Sequence, residues 1–231
     1  MRGRVAVVTG GTGALGQAIV ARCLAAGASV WVPWVVEAEH QALLERFKGE
    51  AAGHVEARKV DVTDEAAASA FTAELVAKTG RLDVLVNTVG GFAGGDLLST
   101  SVADWERMLR LNLTSAFVAC RAALPHMVRA RYGRVVNIAS RAVVPPGGGF
   151  IGYTVSKAGV ITLTQALAQE VRAQAITVNA VLPSTMDTPA NRQAMPDADR
   201  SGWVTTDQVA AVVAFLAGDD ASAITGAAVP V

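Results

Sequence analysis

The chain has 231 residues, of which 52% are hydrophobic and 17% are charged. This composition supplies a large core for one domain of ordinary size and excludes an intrinsically disordered chain. Lys plus Arg and Asp plus Glu each number 20, so the formal net charge is zero. Because no basic block stands out, we expect no nucleic-acid partner.

The cysteines and apolar runs indicate the cellular compartment, and the histidines indicate whether to expect a metal site. Cys23 and Cys120 lie far apart in helix-like sequence, which favours buried thiols in a reducing compartment over a disulfide framework. The apolar run Val5–Val8 is too short for a signal peptide, and no run reaches the ~18 residues of a membrane helix. The histidines are not spaced along the chain as metal ligands are. We therefore expect a soluble cytoplasmic protein with no metal site and no membrane partner.

Short β-branched runs alternate with longer alanine-rich segments along the chain. The predicted strands are Val5–Val8, Ser29–Val32, Val55–Val60, Leu82–Asn87, Arg134–Ala139, Ile176–Leu182 and Ala227–Val231. The predicted helices are Ala14–Ala26, Ala38–Lys48, Glu65–Thr79, Val102–Arg131, Tyr153–Arg172 and Asp207–Ala217. Most strands are apolar throughout, as in parallel strands buried on both faces. The pattern predicts an α/β fold: a doubly wound parallel sheet with helices on both faces, in a single domain over residues 1–231.

Two segments interrupt this alternation. Pro125 falls late in the fourth predicted helix and is expected to kink or end it. The stretch Pro183–Trp203 is rich in Pro, Asp and Ser and lacks periodicity. Long irregular loops in compact domains are often functional, so this stretch is interpreted either as a substrate lid or as a plain surface loop.

The first predicted strand runs directly into a glycine-rich turn that opens a helix. Gly10, Gly13 and Gly16 allow a tight turn and the close approach of a pyrophosphate, which would rest on the helix N-terminus. In a doubly wound sheet, ligands bind at the carboxyl ends of the strands. Asn87 and Gly90 end the fourth strand at that crevice. The turn predicts a dinucleotide site.

The residues after the third predicted strand allow two interpretations. Asp61 and Val62 either contact an adenine or, together with Asp64, form an exposed helix cap. The sequence alone leaves both alternatives open.

Tyr153 and Lys157 lie four residues apart, about one helical turn, so both side chains project from one face. A phenol titrates near ~10, and an ammonium held beside it is expected to lower that pKa. Such a pair can deliver a proton to a carbonyl oxygen or remove one from an alcohol. Ser140 upstream can donate a hydrogen bond to the developing oxyanion. We expect hydride chemistry at a carbonyl or alcohol.

Taken together, these motifs resemble the short-chain dehydrogenase/reductase family over nearly the whole chain. The motifs are TGGTGALG, NTVG at Asn87–Gly90, Asn112 in LRLNLTSAF, Ser140 at the family's usual spacing, YTVSK, and PSTMDT at Pro183–Thr188. The sequence departs from the family pattern at Ala14, Thr88, Val89 and Ser184. The resemblance implies a Rossmann-type fold.

The same resemblance implies the roles of individual residues. The implied catalytic residues are Asn112, Ser140, Tyr153 and Lys157. The implied cofactor-binding residues are Gly10, Thr12, Gly13, Leu15, Gly16, Trp34, Asp61, Val62, Asn87, Gly90, Tyr153, Lys157, Pro183, Thr185 and Thr188. Lys157 would hold the cofactor ribose, Asn112 would anchor a water that links Lys157 to solvent, and Thr188 would meet the nicotinamide carboxamide.

Several stretches resemble the dihydropteridine reductases within that family. They are GGTGALG, GGFAGG, FIGYTVSKAG and DTPANRQAMPDAD. Those enzymes lack the family's active-site serine and asparagine, whereas this chain has Ser140 and Asn112, which favours ordinary carbonyl and alcohol substrates. Reduction of a quinonoid dihydropterin and a non-catalytic dinucleotide sensor remain the alternatives.

The choice between NAD and NADP depends on the residues after the second strand. The position of the usual ribose-binding acid falls on Trp34 and the next on Val35, and neither carries a charge. Glu37 either reaches a ribose or is a helix-start acid, and Trp34 either stacks on adenine or packs. We expect use of both cofactors, a small-molecule substrate and, from the family resemblance, a homo-oligomer, most often a tetramer, associating through Val102–Arg131 and Tyr153–Arg172.

Overall fold

The computed structural model describes residues 1–49 and 54–231, and a seven-stranded parallel sheet forms its centre. The strands of this sheet are β1 (Val5–Thr9), β2 (Ser29–Trp34), β3 (Val55–Lys59), β4 (Val84–Asn87), β5 (Gly133–Ile138), β6 (Ile176–Leu182) and, in chain order after a separate pair, β9 (Ala228–Pro230). The separate parallel pair is β7 (Met186–Asp187) and β8 (Val204–Thr205). The sheet order is β3-β2-β1-β4-β5-β6-β9, so the strand order reverses between β1 and β4.

Eight α-helices of the described chain connect and cover these strands. They are α1 (Ala14–Ala25), α2 (Glu37–Arg46), α3 (Glu65–Thr79), α4 (Val102–Leu109), α5 (Ser115–Ala130), α6 (Ile151–Glu170), α7 (Pro189–Ala194) and α8 (Thr206–Leu216). Apart from the fourth predicted helix, the predicted helices and strands agree with these bounds to within two residues at each end. The predicted doubly wound α/β fold is confirmed.

Alternate residues of each central strand enter different halves of the core. Ala6 and Val8 of β1 pack in the cluster that α1, α2 and α8 cover, whereas Val5 and Val7 pack in the cluster that α3, α5 and α6 cover. Both sets are buried, and burying a valine side chain contributes about 1.5–3 kcal/mol. This double burial explains the uninterrupted apolar strands in the sequence.

The fourth predicted helix, Val102–Arg131, is divided in the structure. A π-helical turn at Arg110–Thr114 separates α4 from α5, and Asn112 lies in this turn with 1% of its surface exposed. π-helical turns of this kind frequently mark functional sites. α5 continues through Pro125 to Ala130, so Pro125 does not end the helix, and a kink at Pro125 stays a prediction. Burial of the α5 residues on either side of the proline outweighs the one hydrogen bond that it removes.

The stretch Pro183–Trp203 is more regular than its composition indicates. It contains β7 and α7, and β7 pairs with β8. Thr188 caps α7 by accepting a hydrogen bond from Asn191 N at 3.2 Å, and Pro189 occupies the first helical position. The Thr-Pro pair is a local start signal for a helix that is too short to show periodicity.

Within residues 1–49 and 54–231, no helix is long and apolar enough to cross a membrane. The His, Cys, Asp and Glu side chains of these ranges form no group of three or more that is placed to hold a metal ion. Cys23 and Cys120 are buried free thiols, and burial raises the pKa of each to about 12. A thiol with such a pKa is not a nucleophile at neutral pH.

Candidate active site

The predicted site residues gather at the carboxyl edge of the sheet, where the strand order reverses. The glycine-rich turn follows β1, Gly90 follows β4, Ser140 follows β5, and Pro183 follows β6. This edge is the usual ligand crevice of a doubly wound sheet. The topology therefore brings residues from four separate parts of the chain to one place.

The turn after β1 folds back on the first turn of α1. Gly10 has a φ of +65°, and a Cβ there would lie 2.7 Å from Thr88 Oγ1 and 2.9 Å from Val89 N. A Cβ on Gly16 would lie 2.1 Å from the carbonyl oxygen of Gly10. Thr88 in turn donates to the carbonyl oxygen of Thr9 at 2.6 Å. Only glycine fits at positions 10 and 16.

The N-terminus of α1 has room for an anion. Gly13 precedes the helix and receives no side-chain cap from the described residues, and the first turn of α1 carries no acidic residue. A Cβ on Gly13 would meet only the Gly10 oxygen, at 3.5 Å, among the described atoms. Thr12 in this turn and Leu15 in the first turn of α1 are both buried. Unpaired N–H groups at a helix start favour a phosphate, so the turn fits the pyrophosphate of NAD or NADP.

An acidic residue that the sequence analysis did not select reaches this turn. Glu39, in the first turn of α2, accepts a hydrogen bond from Thr12 Oγ1 through its Oε2, at 2.7 Å. No local signal marks it, because the contact depends on the angle at which α2 leaves the sheet. The carboxylate of Glu39 is therefore an acid in contact with the glycine-rich turn.

Trp34 and Glu37, which the sequence analysis did consider, have other partners. Trp34 stacks on His40 with ring centroids 4.1 Å apart and an angle of 9° between the planes. His40 thus already covers one face of the indole. Glu37 lies in the first turn of α2, and hydrogen bonding from Gln41, with His40 and Lys59 nearby, lowers its pKa. The helix-start interpretation of Glu37 is the one that these contacts support.

The residues after β3 form turn and cap contacts. Asp61 Oδ1 accepts from the backbone N of Thr63 at 2.8 Å and from its hydroxyl at 2.7 Å. Asp64 caps α3 by accepting from Ala67 N at 2.9 Å. Val62 is buried. The cap alternative is thus observed at Asp64, and an adenine contact by Asp61 or Val62 stays a prediction.

The side chain of Asn87 belongs to a buried polar chain that crosses the sheet. It donates to Asn137 Oδ1 at 2.8 Å and accepts from Thr9 Oγ1 at 3.4 Å. Asn137 donates onward to Thr164 of α6 at 2.8 Å. Buried amides are costly unless they are hydrogen-bonded, so this network gives Asn87 a structural role. A cofactor contact by Asn87 would come from its backbone.

Asn112 clamps the backbone that follows β4. Its Oδ1 accepts from Gly91 N at 2.9 Å, and its Nδ2 donates to Gly91 O at 3.1 Å and to Ser156 Oγ at 3.0 Å. A Cβ on Gly90 would lie 2.7 Å from Asn112 Oδ1 and 3.0 Å from Lys157 Nζ. Gly90 therefore lets Asn112 and Lys157 approach the same short stretch of backbone. The water-anchoring role of Asn112 stays a prediction.

Lys157 is a buried cation with 5% of its surface exposed. Its Nζ donates to the carbonyl oxygen of Ile138, at the end of β5, at 2.8 Å. Burial lowers its pKa from 10.5 to about 8, because the charged form loses hydration. The ammonium is held at the carboxyl edge of the sheet, next to Gly90.

The pKa of Tyr153 moves in the direction opposite to our expectation. Burial raises the pKa of the phenol, and the interaction with the Ser140 side chain lowers it by a smaller amount. The four-residue spacing does place Lys157 one turn away, but the ammonium extends to Ile138 O. The expectation of a depressed phenol pKa in this structure is therefore wrong, because desolvation of the ring is the larger effect.

Two aromatic residues that the sequence analysis did not assign to the site surround Tyr153. The ring of Phe92 lies 5.1 Å from that of Tyr153, centroid to centroid, and the ring of Phe150 lies 6.1 Å from it. Both pairs are edge-to-face. Their motifs, GGFAGG and GGGF, are conspicuous in the sequence, but nothing local shows that they meet.

The residues after β6 are tied to the rest of the site through their backbone. Arg141 N donates to Pro183 O at 2.9 Å, which joins the segment after Ser140 to the segment after β6. Val204 N donates to Thr185 O at 3.0 Å, and Thr188 caps α7. These contacts hold Pro183, Thr185 and Thr188 beside the crevice, and their cofactor contacts stay predictions.

Residues 4–199 match the family model described as short chain dehydrogenase. The chain is 34% identical to the (2S)-[(R)-hydroxy(phenyl)methyl]succinyl-CoA dehydrogenase subunit BbsD of Thauera aromatica, over 98% of this chain and 94% of that protein. It is 33% identical to the meso-2,3-butanediol dehydrogenase of Serratia marcescens, over 99% and 92%. The crystal structure of a short-chain dehydrogenase/reductase from Burkholderia xenovorans superposes with a TM-score of 0.90 at 33% identity, covering 100% of this chain and 95% of that one. The chain therefore belongs to the short-chain dehydrogenase/reductase family and is an oxidoreductase.

Proposed function

We propose that this oxidoreductase interconverts a small carbonyl compound and its secondary alcohol, with Tyr153 as the general acid and base. The observation that carries the proposal is the meeting of Asn112 and Lys157 at Gly90, next to the carboxyl end of β4. Tyr153 precedes Lys157 by one turn of α6, and Ser140 interacts with its phenol. Binding, proton transfer and oxyanion stabilisation are thus available at one edge of the sheet.

In the direction of reduction, the carbonyl carbon would accept the hydride that NADH or NADPH supplies when bound. Tyr153 donates its proton to the carbonyl oxygen, so that the C=O double bond becomes a C–O single bond with a new O–H. The raised pKa of the phenol keeps it protonated at neutral pH, as an acid requires. Ser140 donates a hydrogen bond to the oxygen as negative charge develops on it. In oxidation the same proton returns to the Tyr153 phenolate.

The residues expected to hold NAD or NADP are Gly10, Thr12, Gly13, Leu15 and Gly16 at the pyrophosphate, Lys157 at the nicotinamide ribose, and Thr188 at the carboxamide. We propose use of both cofactors, with a modest preference for NAD. The support is Glu39, whose carboxylate contacts the turn through Thr12 and would repel the additional phosphate of NADP. Kinetics with NADH and NADPH measure this preference.

Two alternative functions of the same fold are less well supported. A quinonoid dihydropterin also accepts a hydride, but Ser140 and Asn112 at the site favour carbonyl substrates. A non-catalytic sensor does not fit membership in a family of oxidoreductases. A cytoplasmic location is part of the proposal and is supported by the two buried free thiols.

The test is nicotinamide absorbance with a panel of ketones and a dihydropterin, for the wild type and for Tyr153→Phe. We expect Tyr153→Phe to lower the rate of ketone reduction about 10²–10⁴-fold while NADH still binds. Tyr132→Phe is the matched control, because Tyr132 donates to Asp219 at 2.8 Å, at the N-terminal side of β5 and outside the site. Undiminished activity of Tyr153→Phe, or turnover of the dihydropterin alone, would contradict the proposal.

A further inference from the structure

Three aromatic rings from two separate segments form one cluster at the proton donor. Phe92 lies on the connection between β4 and α4, whereas Phe150 and Tyr153 lie at the start of α6. The centroids of Phe92 and Phe150 are 5.8 Å apart, and each ring meets Tyr153 edge to face. Edge-to-face pairs at these distances are attractive, so the rings support one another.

Backbone hydrogen bonds join the two segments that carry these rings. Gly95 N donates to Gly149 O at 2.8 Å, and Ile151 N donates to Gly95 O at 3.0 Å. Phe150 packs closely on Gly147, where a Cβ would lie 2.9 Å from the ring. The position of the aromatic cluster is thus set by the backbone as well as by ring contacts.

One ring of the cluster presents a large apolar surface to solvent. Phe92 is 65% exposed, although it touches the ring that we propose as proton donor. Val144, on the segment that leads to Phe150, is 53% exposed. Exposed apolar surface of this kind next to a reacting group is typical of a surface that a ligand covers.

The segments that form this surface carry no charge. Residues 90–95 read GGFAGG and residues 142–156 read AVVPPGGGFIGYTVS, without a single Asp, Glu, Lys or Arg. The next acid in the chain, Asp96, has its carboxylate bonded to the backbone N–H groups of Leu98 and Ser99. The cations that flank the second segment are Arg141 and Lys157, and the Lys157 ammonium is bonded to Ile138 O. Within the two segments themselves, a substrate with a carboxylate or phosphate next to its carbonyl would find no counter-charge.

We propose that Phe92 and Phe150 form an aromatic wall that selects substrates with a planar aromatic group bonded to the reacting carbon, namely aryl ketones and the matching benzylic alcohols. The proposal rests on the proposed carbonyl chemistry at Tyr153. A flat ring packs edge to face or offset against Phe92, while its carbonyl oxygen faces the phenol. An aliphatic group of equal size excludes water there but lacks the ring–ring attraction.

The experiment compares three ketones with purified full-length protein: acetophenone, cyclohexyl methyl ketone of similar size, and 2-butanone. The quantity measured is the ratio of kcat/KM for acetophenone to that for the cyclohexyl ketone. We expect a ratio above one in the wild type and a threefold to tenfold smaller ratio in Phe92→Leu, about the range of one aromatic pair. Phe150→Leu should lower the ratio in the same direction. Phe215→Leu is the matched control, since Phe215 is a half-exposed ring on α8, and its ratio should stay unchanged.

Binding of NADH, measured by its fluorescence, reports whether each variant is folded without reference to turnover. A wild-type ratio at or below one, a ratio that Phe92→Leu leaves unchanged, or an equal loss on both ketones would overturn the aromatic wall. A change of molecular mass in Phe92→Leu would also overturn it, because the ring would then be covered by a second copy of the chain. If the protein reduces none of the three ketones, including 2-butanone, that result would instead contradict the proposed carbonyl function itself.

Discussion

At Tyr153, burial and one neighbouring hydroxyl move the phenol pKa in opposite directions. Burial raises the pKa, and Ser140 lowers it because its hydroxyl stabilises the phenolate. In the proposed mechanism the Tyr153 phenolate is the base for alcohol oxidation, so kcat/KM should rise with pH until the phenol is ionised. Ser140→Ala removes the opposing effect. We predict that the alkaline midpoint of this pH profile moves to higher pH, and that the rate falls about 10²–10³-fold with the loss of one oxyanion donor.

The measurement is kcat/KM for alcohol oxidation from pH 6 to 11. Ser140→Thr retains a hydroxyl and should return the midpoint towards that of the wild type, even if its methyl group lowers the rate. A purely structural role for Ser140 predicts a lower rate with the same midpoint. That outcome would contradict its action on Tyr153.

Lys157 is a buried charge whose desolvation lowers the stability of the fold. Its pKa falls from 10.5 to about 8 on burial, which corresponds to a destabilisation of about 3 kcal/mol at neutral pH. Met fills a similar volume without a charge, although Ile138 O then loses its donor, at a cost of about 1 kcal/mol. We predict that Lys157→Met raises the free energy of unfolding at pH 7 by about 1–2 kcal/mol while it abolishes turnover and weakens NADH binding.

Urea denaturation at pH 7 and pH 10 tests the sign of this effect. Between pH 8 and 10.5 the unfolded chain holds the proton that folded Lys157 has released. Over this range the contribution of Lys157 therefore makes the free energy of unfolding of the wild type increase with pH. The advantage of Lys157→Met should therefore shrink at pH 10. A variant that is less stable than the wild type at pH 7 would show that the Ile138 contact outweighs the burial cost.

At the scale of the elements, two glycines of the glycine-rich turn are expected to serve different purposes: Gly16 allows the turn to fold, and Gly13 allows the cofactor to bind. A Cβ at Gly16 would overlap Gly10 O, whereas a Cβ at Gly13 would face that oxygen at 3.5 Å, an ordinary contact. We predict that Gly16→Ala lowers stability by 2 kcal/mol or more, about the upper part of the range for overpacking. Gly13→Ala should stay within about 1 kcal/mol of the wild type but bind NADH more weakly, because its methyl group stands where a phosphate approaches.

Urea denaturation and calorimetric titration with NADH measure the two effects for both variants. Substitution of Gly16 by a larger residue therefore tests folding more than binding. Undiminished NADH affinity in Gly13→Ala would contradict the assignment of this turn to the pyrophosphate.

The sequence predicts those features of these elements that depend on residues close together in the chain. The turn from β1 to α1 and the pair Tyr153–Lys157 each follow from spacing within one or two helical turns, and both were predicted. The division of Val102–Arg131 was not, because the π-helical turn places Asn112 against Gly91, 21 positions earlier in the chain. The hydrophobic periodicity of a helix does not reveal such a contact between residues far apart in the chain.

The same limit applies to the side chains of the candidate site. Glu39 reaches Thr12 only through the path of α2, and Phe92 reaches Phe150 only because Gly95 pairs with the segment before α6. The phenol pKa of Tyr153 depends on how deeply α6 buries the ring, which no motif encodes. Motifs therefore indicate candidate site residues, whereas the hydrogen-bond partners and pKa values of those residues depend on the packed structure.

At the scale of the whole molecule, the outer side of α5 carries an apolar stripe. Phe117 and Val128 lie about three helical turns apart on one side of α5 and are 47% and 39% exposed. Val155 on the neighbouring α6 is 41% exposed. The inner sides of both helices already pack on the sheet, so these side chains are surplus to the core of one chain. A stripe of this kind fits a partner with the same surface, as a two-fold interface requires.

We predict a symmetric homo-oligomer, most often a tetramer, in which α5 and α6 of paired chains pack together. Light scattering at micromolar concentration should give about four times the chain mass of 23.8 kDa. Phe117→Asp places a charge in the stripe and should shift the mass towards smaller species, because an unpaired charge is costly in an apolar interface. Leu44→Asp is the matched control: Leu44 is 45% exposed on α2, away from the stripe, and its substitution should leave the mass unchanged. A wild-type monomer, or a mass that Phe117→Asp does not alter, would show that this stripe is not the interface.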